Sequence, residues 1–124
     1  VYIGHSNDTD DLDYLMGLCR KGCYVGMDRY PGGRLGTLDW EQRTETVARL
    51  VDAGFGGQVM LSHDFPLYSV QGRQSEAERY NDYNPDGINF IRRRVVPRLA
   101  ELGLTDDALH KLMVQAPRNF FEGI

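Results

Sequence analysis

Short apolar runs alternate with longer amphipathic stretches three times along this chain of 124 residues. The first run, Val1 to Gly4, breaks at once into the polar cluster His5, Ser6, Asn7 and Asp8. Leu12, Leu15, Met16 and Cys19 then recur at helical i, i+3, i+4, i+7 spacing, with Thr9, Asp10 and Asp11 suited to the helix start and Gly22 to its end. A second run, Cys23 to Met27 (CYVGM), leads through the loop DRYPGGRLG to a helix carrying Trp40, Thr44, Val47 and Val51 on one face and closed by Gly54. The third run, Gln58 to Ser62 (QVMLS), is followed by His63, Asp64 and a long loop. Beyond that loop the stripe Ile88, Ile91, Val95, Leu99, Leu102 predicts a helix that Pro97 should bend or split. A last helix with Leu109, Leu112, Met113 and Ala116 should end near Pro117, with Phe120 and Phe121 in a short turn packing back.

Continuous apolar strands alternating with amphipathic helices imply an α/β fold with a parallel sheet. Each strand ends in a polar residue, His5, Asp28 or Asp64, and parallel α/β folds build their sites at the carboxyl ends of strands. Three strands make a narrow sheet with open edges, so part of the architecture is expected to be missing on the amino-terminal side.

The composition, 41% hydrophobic and 26% charged, fits one globular unit. The net charge of −4 arises from interspersed charges, which argues against nucleic acid as a partner. No apolar segment has the length of a membrane span, and no signal-like start is present; a cytoplasmic location is expected. Cys19 and Cys23 are expected to be two buried thiols rather than a disulfide or a zinc site.

Four motifs in order, IGHSNDTDDL, GMDRYPG, MLSHD and NPDGINFI, resemble the last part of the phosphotriesterase-like family of the amidohydrolase superfamily, closest to its lactonases. The resemblance runs from Val1 to about Gly123. It implies the C-terminal part of a (β/α)8 TIM barrel, strands six to eight with their helices, and makes residues 1–124 a partial metal-dependent hydrolase barrel lacking its N-terminal strands. A full barrel needs about 250 residues.

The resemblance also implies roles. His5 matches a histidine that ligates one of two divalent metal ions, expected to be zinc, and Asp64 matches an aspartate that binds the other and contacts the bridging hydroxide. A carboxylate so placed can also accept a proton as the hydroxide attacks. Asp8 has two readings, as an acidic member of a proton-relay network or as an acid at a helix start. Arg29 stands where organophosphate-hydrolysing members carry His and lactone-hydrolysing members tend to carry Arg, so the implied function is lactone cleavage, with phosphotriesters as further substrates. Phe65, Leu67 and Tyr68 on the long loop, together with Tyr30, are candidate pocket residues; Tyr80 and Tyr83 could line the pocket or anchor the loop. His63 should face the helices because neighbouring strand residues point opposite ways, and His110 should lie at a solvent-facing or packing edge.

The expected partner is a small ester or lactone, and the whole enzyme is expected to be a homodimer. Two ligands cannot build a binuclear centre alone, so the isolated chain is expected to be inactive. The competing reading is a non-catalytic barrel fragment that associates with a complementary fragment or with itself. A nucleotide-binding domain is disfavoured, because PGGRLG departs from both phosphate-loop fingerprints.

Overall fold

The computed structural model describes residues 1–33, 36–64 and 83–124. Three strands, β1 (Tyr2–Ile3), β2 (Tyr24–Tyr30) and β3 (Val59–His63), form one parallel sheet in sequence order. Val25 lies opposite Val59, and Tyr2 opposite Tyr24. Between the strands run α1 (Leu12–Arg20) and α2 (Trp40–Asp52). β2 continues to Tyr30, three residues beyond the apolar run, through an irregularity in its pairing with β3 between Met27 and Tyr30.

Both helices begin and end on local chemistry. Asp11 accepts a hydrogen bond from the Tyr14 N–H and caps α1, while Asp39 and Gln42 form a reciprocal capping box on α2. Gly54, at φ 92°, closes α2 because a left-handed residue lets the Gly54 and Phe55 N–H groups reach back to the Val51 and Leu50 carbonyls. Gly22 ends α1 in the same way, with the Gly22 and Cys23 N–H groups on Cys19 and Leu18.

The core lies between the sheet and the helices. On β2, Val25 and Met27 are fully buried against Leu15, Val47, Leu50 and Val95, while the alternate residues Gly26 and Asp28 belong to the other face. Burying a side chain of that size contributes roughly 1.5–3 kcal/mol, so the helical side holds the unit together. Cys19 and Cys23 are free thiols, the first buried and the second half-buried. Among the described residues no helix is long and apolar enough to cross a membrane.

The carboxy-terminal region handles its two prolines by one device. A π-helical turn, Ile91–Val95, leads directly into α3 (Val96–Glu101), and a second, Lys111–Gln115, joins α4 (Asp106–His110) to α5 (Ala116–Glu122). Pro97 and Pro117 each stand just after such a turn. A proline offers no N–H and collides with the carbonyl four residues back; bonding over five residues relieves both problems. The helix expected to end near Pro117 therefore runs on to Glu122. Phe120 lies within it and packs on Tyr2 and Tyr24, at ring-centroid separations of 5.8 and 5.1 Å, whereas Phe121 is exposed. Ile88, expected on the apolar stripe, sits instead in a short 3-10 turn, Gly87–Asn89, and is exposed.

Candidate active site at the carboxyl edge of the sheet

Parallel strands in sequence order bring their carboxyl ends to one edge, and His5, Asp28, Arg29 and Asp64 collect there. His5 has a left-handed backbone, φ 56° and ψ 26°, the one such non-glycine residue among those described. A turn, Ser6–Asp8, follows it, with the Ser6 hydroxyl donating to the Ile3 carbonyl at 2.7 Å. The His5 backbone N–H donates to Asp28 Oδ1 at 2.7 Å, and His5 Nδ1 lies 3.0 Å from the same oxygen. The other oxygen, Asp28 Oδ2, accepts from the Tyr2 hydroxyl at 2.6 Å. Facing a carboxylate, Nδ1 carries the ring proton and leaves the Nε2 lone pair available. Burial, and then the hydrogen bond and charge of Asp28, push the Tyr2 phenol well above its usual range, so it stays a donor.

A second cluster joins the first through β2. Arg29 Nη1 donates to Asp8 Oδ2 at 2.7 Å, and its Nε lies 3.4 Å from Asp64 Oδ2, so one guanidinium spans two carboxylates. Arg43, on α2 and only 2% exposed, donates from Nη1 to Asp8 Oδ1 at 3.2 Å and from Nε to the Leu38 carbonyl at 2.8 Å. The Arg29 N–H is held by Asn7 Oδ1 at 3.1 Å. Desolvation pulls the Asp8 carboxyl upward, but the hydrogen bonds and charges of Arg29 and Arg43 outweigh it and leave the group below the usual carboxylate range.

Tyr30 does not line this edge. It is 2% exposed, stacks with Phe90 at 6.5 Å, and turns its hydroxyl to Thr44 Oγ1 at 3.4 Å. The pairing irregularity after Met27 places Arg29 in solvent and Tyr30 in the helical layer, which corrects its reading as a pocket residue. His63 faces the helices: its Nε2 accepts from the Ile91 N–H at 3.4 Å, and burial lowers its pKa. His110 is exposed. Phe65, Leu67, Tyr68 and Tyr80 lie outside the described residues.

Tyr2 and Arg43 join this edge without a motif that marks them, and Asp28 joins it through partners that its place as a strand end does not reveal. Asp28 was visible only as a polar strand end, and nothing in the sequence pairs it with His5. Arg43 did leave a signal, since it stands three residues after Trp40 and four before Val47, on the buried stripe. Among the described residues no three His, Cys, Asp or Glu side chains converge to hold a metal ion.

Residues 1–121 match the phosphotriesterase family. The chain is 34% identical over 122 residues to a "phosphotriesterase homology protein" of Mycobacterium tuberculosis, covering 98% of this chain and 36% of that protein. It is 30% identical over 122 residues to an aryldialkylphosphatase of Saccharolobus solfataricus, covering 98% and 38%. An N-acetyltaurine hydrolase of Dictyostelium discoideum is 27% identical, covering 95% and 32%. The solved structure of the phosphotriesterase from Mycobacterium tuberculosis superposes with a TM-score of 0.85 at 33% identity, over 98% of this chain and 36% of that one. The chain thus spans a little over one third of the length of these first two relatives. Its fold is the strand-six-to-eight portion of a (β/α)8 barrel, and the chain belongs to the phosphotriesterase family.

Proposed function

We propose that this chain is the carboxy-terminal part of a metal-dependent hydrolase barrel that opens lactones in preference to phosphotriesters. The observation that carries the reading is Arg29 lying between Asp8 and Asp64. An arginine cannot pass a proton at neutral pH, so a relay from Asp64 through residue 29 to Asp8 is closed, and residue 29 serves to hold both carboxylates. Family resemblance associates Arg at this place with lactone hydrolysis.

His5 through Nε2 and Asp64 through its carboxylate are the residues that would hold two divalent metal ions, with zinc the preferred choice. The donor chemistry fits: a His whose Nδ1 faces a carboxylate presents a basic Nε2, and Asp64 is 56% exposed rather than sealed in the core. The chemistry such ions supply is a water of lowered pKa and polarisation of the carbonyl or phosphoryl oxygen under attack. Asp64 accepts the proton released on attack, while Arg29 orients its carboxylate. Asp8, gripped by Arg43 as well, fixes Arg29 in turn. The donors this chain offers are too few for a binuclear centre, so on this reading the isolated chain is inactive even with added zinc.

Parallel measurement of kcat/KM for an acyl-lactone and an aryl phosphotriester on the complete protein tests the substrate class. A higher value for the lactone is expected, and a clear phosphotriester preference, as the name of the Saccharolobus relative suggests for that protein, reverses the assignment.

A further inference from the structure

Asp28 is placed to do more than end a strand. Both of its oxygens are occupied, Oδ1 by the backbone N–H and Nδ1 of His5 and Oδ2 by the Tyr2 hydroxyl, and its side chain is only 15% exposed. The surroundings are cut to fit this arrangement. An added Cβ at Gly26 would collide with the Tyr2 hydroxyl and stand 2.8 Å from Asp28 Oδ2, and one at Gly4 would stand 3.3 Å from the same oxygen. Tyr2 thus crosses over β2 through a gap that only glycine leaves. The left-handed backbone of His5, uncommon for a residue with a side chain, is pinned by the Asp28 bond to its N–H.

We propose that Asp28, braced by Tyr2, is the positioning residue of His5, fixing both its backbone twist and the tautomer that directs Nε2 toward a metal ion. The proposal rests on the reading of His5 as a ligand. Asp28 touches no substrate; it acts by sparing His5 the entropy of ordering when metal arrives.

The test is zinc affinity of the complete protein at one fixed pH, by chelator competition, together with the thermal midpoint of the metal-free protein. Asp28→Asn keeps the shape and weakens the acceptor; it should lower zinc affinity roughly 10- to 100-fold, as loss of such outer partners does. Tyr2→Phe removes only the brace and should lower it by a smaller factor that still exceeds twofold. Metal-free midpoints should stay close to wild type, which a purely structural role would not allow. His5→Ala separates the two readings. If it loses affinity while Asp28→Asn and Tyr2→Phe stay within twofold of wild type, the positioning role is overturned and the ligand role stands. If His5→Ala binds zinc unchanged, the ligand reading falls and the proposal falls with it. Should Asp28→Asn fail to fold, Tyr2→Phe alone carries the decision.

Discussion

His5 and Asp64 follow the two outer strands at the carboxyl end of one three-stranded sheet, each with a side chain 56% exposed, yet they are held very differently. His5 is tied through backbone and ring to a carboxylate that Tyr2 secures from the far side. Asp64 meets the Nε of Arg29 at 3.4 Å, and that arginine is shared with Asp8 at a shorter 2.7 Å. Equal exposure therefore does not mean equal restraint. The β1 end is organised by neighbours from β1 and β2, whereas the β3 end borrows its order from a side chain whose stronger contact lies elsewhere.

The sharpest way to use this difference is Asp64→Asn in the complete enzyme. If Asp64 takes up the proton as proposed, its loss with almost no packing change should lower turnover roughly 10²- to 10⁴-fold while the thermal midpoint barely moves. Near-normal turnover with metal bound would sink the role given to Asp64.

Stability should respond the other way at Asp8. Removing it leaves Arg43, 2% exposed, without its carboxylate, and breaking a buried pair costs about 3–5 kcal/mol. Because Asp8 is itself 40% exposed, water screens part of that loss, and about 2 kcal/mol is expected for Asp8→Ala. Asp64→Ala should cost under about 0.5 kcal/mol. Denaturant melts of the two variants in parallel check the contrast, and equal losses would abolish it.

A double-mutant cycle isolates the arginine they share. Coupling of Arg29 to Asp8 should reach on the order of 1 kcal/mol, and coupling to Asp64 should stay within a few tenths. The reverse order would mean that Arg29 belongs primarily to the β3 end.

The smallest effect is in acid. The folded-state pKa of Asp8 lies below its unfolded value, so the stability it contributes is complete above an unfolded pKa of about 3.9 and is lost as pH falls through the lower folded value. Wild-type protein should therefore weaken over that window more steeply than Asp8→Asn. Matching slopes in pH-dependent melts would remove Asp8 from the acid response.

Strands and helices were legible because burial imposes a period, and the stripes Leu15 with Cys19 and Val95 with Leu99 do lie in the core. Periodicity carries no information about exceptions to it. The π turns before Pro97 and Pro117 keep helices running where a proline normally stops one, and the irregularity in β2 sends Tyr30 to the helices against the expectation of a pocket. His5, Asp8, Arg29 and Asp64 drew attention through motifs. Asp28 and Arg43 act through partners 23 and 35 residues away, and such pairings appear only once the sheet has formed.

The gap over Gly26 also constrains how this sequence can drift. A methyl group arriving at position 26 meets the Tyr2 phenol head-on and stands 2.8 Å from Asp28 Oδ2, so both side chains must give way before it fits. Among descendants and cousins of this chain, a side chain at the place of Gly26 should be found only where the aromatic ring at the place of Tyr2 and the carboxylate at the place of Asp28 have both been lost or turned aside.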